Sequence, residues 1–184
     1  MSLIDRYSKE SGAVLMDLKR LQHTLNKLNE FGGSERGVNR LAYTDVEQQA
    51  LKYVMDLCEK EGMKVKIDAV GNLIARREGK NPTLPVVAFG SHIDSVYEAG
   101  QYDGAVGIVA ALDVIRSMNE KGIETVHSLE IISFACEESA RFSFSTLGSK
   151  AMAGCLEKEE IANLQDKNGV FLRDEFSKYS LSID

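Results

Sequence analysis

Apolar residues recur three and four positions apart across residues 3–30, at Leu15, Leu18, Leu21, Leu25 and Leu28. That spacing predicts an amphipathic helix. Phe31-Gly32-Gly33 ends it, and a loop follows through Gly37. Thr44 with Glu47 three residues later reads as a capping box, so a second helix is expected from Asp45. Its buried face would include Ala50, Tyr53, Val54 and Leu57, and Gly62 would close it. Met63 to Asp68 alternates apolar and charged positions, as a half-exposed strand does. Gly71-Asn72 marks a turn, and Leu73 to Arg76 is the partner strand.

Beyond Pro82 and Pro85 the pattern changes. Val86-Val87-Ala88-Phe89 is a continuous apolar run, which predicts a strand buried on both faces. It leads into Gly90-Ser91-His92-Ile93-Asp94. Ala105 to Met118 has Val109, Leu112 and Ile115 at helical spacing. Leu129 to Ala135 reads as a second buried strand, running into Cys136-Glu137-Glu138. Short helices are expected over Leu147 to Ala153, Lys158 to Leu164 and Asp174 to Tyr179. The fold class is therefore α/β: a three-layer, mostly parallel (mixed) sheet flanked by helices. The strand–helix–strand unit implies a right-handed crossover. Ligands in such sheets collect at the carboxyl ends of the strands, where both apolar strands run into acids and a histidine.

Composition narrows the function. The 184 residues are 43% hydrophobic and 27% charged, enough for one folded domain. A net charge of −6 with no basic patch argues against nucleic acid as a partner. No apolar run matches a membrane span, and the first residues do not read as a signal peptide. Cys58, Cys136 and Cys155 are odd in number with no CxxC pair, so they are expected as reduced thiols in the cytoplasm.

His92 and Asp94 stand two apart at a strand end, so both can point to one side. Asp103 lies on the glycine-rich loop Gly100-Gln101-Tyr102-Asp103-Gly104, before a helix. Glu137 and Glu138 are adjacent, and both reach one site only if the strand has ended or twisted there. One imidazole with three or four carboxylates suits zinc or manganese. Ordinary loop acids around a hydrogen-bonded histidine would look the same at this point. His23 reads as a surface histidine, and His127 opens its strand at the end away from the acids. Gly100, Gly104 and Gly107 match no nucleotide motif. Cys136, Ser143 and Ser145 lack a base at a recognisable spacing.

The segments Gly90-Ser91-His92-Ile93-Asp94-Ser95-Val96, Tyr102-Asp103-Gly104-Ala105-Val106-Gly107 and Glu137-Glu138-Ser139-Ala140-Arg141-Phe142 together resemble the M20 metallopeptidase superfamily. Leu147-Gly148-Ser149-Lys150, Arg40, Tyr43-Thr44, Asp68 and Gly71-Asn72-Leu73 extend the resemblance over Phe31 to Gly154. Within the superfamily they are similar to the branch that hydrolyses N-carbamoyl amino acids, ureidopropionate and allantoate.

The resemblance implies a dinuclear-metal, exopeptidase-like catalytic domain, with residues 1–184 as its N-terminal portion. It implies two divalent ions, zinc or manganese, in the full-length parent. His92 would bind one ion, Asp103 would bridge both, and Glu138 would bind the second. Glu137 would be the general base, and Asp94 would orient His92. The substrate would be a small ureido or amide compound. Family members take a further histidine per metal from downstream sequence, and an inserted domain supplies dimer contacts, so the parent is expected to be a homodimer. The last histidine here is His127. The 184-residue chain alone is therefore expected to bind metal weakly and to show no hydrolase activity. An M20-type dipeptidase or aminoacylase, and a truncated non-catalytic binding or regulatory protein, are the alternatives.

Overall fold

The structure is a computed structural model and describes residues 16–182. Helix α1 spans Leu18–Glu30, capped by Asp17, whose carboxylate accepts the Lys19 and Arg20 N–H groups. The expected earlier turns, 3–15, lie outside the described residues. Leu25 and Leu28 are buried while Leu18 is exposed, so the buried stripe begins later than the spacing predicts. The expected loop instead forms a small hairpin, β1 Gly33–Ser34 with β2 Gly37–Val38.

Helix α2 spans Asp45–Lys60. Thr44 Oγ1 accepts the Glu47 N–H at 3.3 Å, which is one limb of the expected capping box. Glu47 does not complete the other limb. It turns inward and accepts from Gln48 Nε2 at 2.8 Å. Strands β3 Lys64–Ile67 and β4 Leu73–Arg77 form the predicted hairpin. Strand β5 Val87–His92, helix α3 Ala105–Glu120 and strand β6 Leu129–Phe134 form the strand–helix–strand unit. Helices α4 Leu147–Met152, α5 Lys158–Ile161 and α6 Leu172–Lys178 follow.

The four-stranded sheet has the order β3-β4-β6-β5. It is mixed: β5 and β6 are parallel, with His92 opposite Phe134, while β4 joins both β3 and β6 antiparallel. Leu25, Leu28, Ala50, Val54, Ile108, Leu112 and Ile115 from α1–α3 pack on Leu73, Ala75 and Ile131 of the sheet. Burial of each large aliphatic side chain contributes about 1.5–3 kcal/mol. A second cluster gathers Tyr43, Ala135, Cys136, Phe142, Leu147, Leu172 and Phe176 beyond the end of β6.

One expectation is corrected. The run Val86 to Phe89 is not buried on both faces. Among the described residues β5 is a sheet edge, and Val87 is 49% exposed. An apolar run reports hydrophobicity but not the number of neighbouring strands. The three cysteines are free: Cys58 and Cys136 are buried and Cys155 is exposed. No helix among the described residues is long and apolar enough to cross a membrane.

Candidate metal centre

Both strands of the parallel pair end at the same edge, so His92 closes β5 beside Phe134, four residues before Glu138. His92 is 7% exposed. Its Nδ1 lies 2.9 Å from the Asp94 carbonyl oxygen, which is an acceptor only. Nδ1 therefore carries the hydrogen, and Nε2 is left to face outward as a ligand atom. The Asp94 carboxylate, 1% exposed, does a different job. It accepts the N–H of Glu137 at 3.2 Å and of Glu138 at 3.0 Å. One aspartate thus binds the end of β5 to the end of β6, through main chain on one side and side chain on the other.

Beyond Ala135 the chain leaves the extended form. Cys136 has φ 49°, in the left-handed region. That turn is what lets Glu137 and Glu138, neighbours in sequence, serve one site. Glu137 Oε2 lies 3.6 Å from His92 Nε2, and Asp103 Oδ1 lies 3.7 Å from the same atom. Asp103 precedes Gly104, the first flanking residue of α3, where φ is 63°. A Cβ there would lie 2.5 Å from His92 Cε1, so glycine lets the helix start against the imidazole.

His92, Asp103 and Glu138 offer ligand atoms all within 4.8 Å of one another. The chemistry of this donor set fits a divalent cation: one imidazole nitrogen, whose proton the cation would replace, and two carboxylates, with Glu137 beside them. Its electrostatics fit as well. Burial pulls the His92 pKa down, but the Asp94 hydrogen bonds and charge, with Glu137, outweigh it and push it up to about 9. Glu138 is also pushed up, first by burial and next by the Asp103 charge. Negative charge in excess of what the imidazole needs is what a bound cation would neutralise.

A buried scaffold lies under the loop after β5. Arg40 Nε donates to the Ile93 carbonyl at 2.6 Å, and its Nη1 donates to the Leu28 and Phe31 carbonyls, each at 3.0 Å. Ser95 N–H donates to the Arg40 carbonyl, and Asn29 Nδ2 donates to the Gln101 carbonyl in the loop leading to Asp103. Arg40 stood out in the sequence only through the resemblance. Asn29 gave no sequence signal at all, because a polar residue late in a helix normally faces water. His23 is exposed, and His127 lies away from the acids, its Nδ1 2.6 Å from the Pro85 carbonyl.

The model of peptidase family M28 matches residues 72–178. An N-carbamoyl-L-amino acid amidohydrolase of Geobacillus stearothermophilus is 41% identical over 167 residues, covering 90% of this chain and 41% of that protein. A ureidoglycolate hydrolase of Arabidopsis thaliana is 39% identical over 151 residues, covering 82% of this chain and 32% of that protein. Among solved structures, a hydantoinase/carbamoylase family amidase of Burkholderia ambifaria superposes with a TM-score of 0.86 at 38% identity, covering 91% of this chain and 42% of that one. The chain therefore spans about two fifths of the length of such relatives. The relatives bear out the carbamoylase branch, while the family model that matches is M28, where the motifs resembled M20. With that model matched over more than half of its length, the chain belongs to peptidase family M28.

Proposed function

We propose that the protein containing this chain hydrolyses a carbon–nitrogen bond in a linear ureide or amide, with divalent metal at the His92 centre. The observation that supports this best is the convergence of His92, Asp103 and Glu138 within 4.8 Å at the ends of a parallel strand pair. The names of the relatives, N-carbamoyl-L-amino acid amidohydrolase and ureidoglycolate hydrolase, point the substrate class toward ureido compounds.

His92 through Nε2, Asp103 and Glu138 would hold the metal, with Asp103 shared where two ions bind. Zinc or manganese, when bound, polarises the carbonyl and makes water more acidic. Glu137, half-buried and 3.6 Å from His92 Nε2, takes a proton from water and returns it to the departing nitrogen. Asp94 fixes the imidazole through its carbonyl and the acid pair through its carboxylate. The relatives are more than twice as long as this chain. We place further ligands, substrate contacts and the contacts of a homodimer in the additional sequence of the longer protein.

The test is an assay of that longer protein on N-carbamoyl amino acids beside dipeptides, since the family model is a peptidase one. Glu137→Gln should lower turnover about a hundredfold or more while metal content stays normal. His92→Ala and Asp103→Ala should lose metal as well as activity. Near-normal turnover in Glu137→Gln would remove the general-base assignment. Cleavage of dipeptides alone would replace the ureide reading with a peptidase one.

A further inference from the structure

Strand β6 leaves the sheet at a junction built around Asn72. Asn72 is fully buried, at 0% exposure. Its Oδ1 accepts the Ala135 N–H at 2.8 Å. Its Nδ2 donates to Asp68 Oδ2 at 2.7 Å and to the Gly148 carbonyl at 3.0 Å. Asp68 is held in turn, because its Oδ1 accepts the N–H of Asn72 at 2.8 Å and of Val70 at 3.1 Å. From the other side, the N–H groups of Thr146, Leu147 and Gly148 donate to the carbonyls of Glu137, Cys136 and Ala135 at 2.9, 3.1 and 2.9 Å. A Cβ on Gly148 would lie 2.0 Å from Asn72 Oδ1, so the junction closes only with glycine there. The Ala135–Glu137 backbone is therefore gripped immediately before the two N–H groups that Asp94 receives.

We propose that Asn72 is a positioning residue of the candidate metal centre. Its amide draws the β6 backbone out of the sheet at Ala135 and so aims Glu137 and Glu138 at His92 and Asp103. The inference rests on the metal-centre reading for its consequence, although the backbone geometry stands without a metal. Asn72 makes no hydrogen bond to a proposed ligand. The position needs an acceptor for Ala135 and a donor for Asp68 and Gly148 on one side chain. Alanine offers neither, and aspartate alone would set a second carboxylate against Asp68.

Two measurements on the 184-residue chain test it. Amide hydrogen exchange on the metal-free protein reads the backbone, and Co2+ titration with visible absorption reads the ligands. In the unchanged protein the Ala135 amide should exchange among the slowest. Asn72→Ala should speed exchange about tenfold or more at Ala135, Glu137, Glu138 and residues 146–148, with α3 unaffected. It should also weaken Co2+ binding about tenfold and alter the absorption band. Gly148→Ala should reproduce the effect. Asp68→Asn combined with Asn72→Asp keeps an acceptor for Ala135 and the side-chain contact but leaves the Gly148 carbonyl without its donor, so it should restore protection at Ala135 in part and not at residues 146–148.

Rapid exchange of Ala135 in the unchanged protein overturns the inference without any variant having to fold. So does Asn72→Ala with normal protection at Glu137 and Glu138 and an unaltered Co2+ band. If the exchange results hold but Co2+ binding is indifferent to His92→Ala, the metal-centre reading has failed. Asn72 then positions no metal ligand, and the intact exchange pattern identifies that cause.

Discussion

Burial at the first turn of α2 pushes the Glu47 carboxyl up to about 8, with the Asp94 charge adding to the shift and Gln48, the Tyr43 N–H and Arg40 opposing it. The consequence for stability has a definite sign. The folded chain holds a proton on Glu47 that the unfolded chain, with an ordinary carboxyl, gives up. Between the ordinary carboxylate range and about pH 8, stability therefore falls as pH rises, by up to about 1.4 kcal/mol per unit from this group. Glu47→Gln should flatten that slope. It should leave stability near pH 5 little changed and raise it at pH 8, which denaturant titrations of both proteins at the two pH values would show. An equal slope in the variant would assign the effect to other groups. The cysteines give a second residue-scale outcome. Burial pushes the Cys58 thiol up to about 12 and drives Cys136 well above the ordinary thiol range, whereas Cys155 is exposed. A thiol reagent should label Cys155 quickly and the other two only on unfolding. None of this could be read from sequence. Glu47 looked like the second half of a capping box, because its spacing from Thr44 is correct. What spacing does not report is that the Glu47 side chain is buried and bonded to Gln48.

The start of helix α1 docks on α3 through polar groups, whereas Leu25 and Leu28 farther along join the apolar cluster that includes Ile108, Leu112 and Ile115. Asp113 is fully buried and accepts the Asp17 N–H at 3.0 Å and Arg20 Nε at 2.5 Å. Arg20 also reaches Ser117 Oγ at 3.1 Å and pairs with Glu120. Asp113→Asn keeps the volume but removes the charge, so it should cost about 2 kcal/mol, the worth of a hydrogen bond to a charged group. Urea unfolding measures this. A loss within experimental error would mean that Glu120 and water take over Arg20 fully. At this scale the sequence was a good guide where elements are long and periodic: α2, α3, the β3–β4 hairpin and β6 all lie within two residues of their expected bounds. The turn that aims the acid pair was also foreseeable, because Glu137 and Glu138 cannot share a site from one straight strand. Its cause was not. Asn72 looked like a simple turn residue, and its partners Ala135 and Gly148 lie 63 and 76 positions away.

At the scale of the whole molecule, the ends of the parallel pair bring together groups far apart in the chain, so a bound cation should act on the fold itself. His92, Asp103 and Glu138 belong to the end of β5, the loop before α3 and the turn after β6. None of the three elements places its ligand alone, and the unfolded chain has no such site. Binding to the folded state alone stabilises it by about 1.4 kcal/mol at ten times the dissociation constant. For a domain of this size that is a rise in Tm of about 3–5 °C. The 184-residue chain offers three clustered donors and a neighbouring acid, so the affinity should be modest, and millimolar zinc or manganese should be needed. Calorimetry with and without chelator checks the shift, and direct titration checks the affinity. Sub-micromolar binding would show that these residues suffice for a complete site. The control is His92→Ala. With a net charge of −6, the chain attracts divalent ions to surface acids too. A rise in Tm that survives loss of the imidazole would belong to those acids and not to the centre.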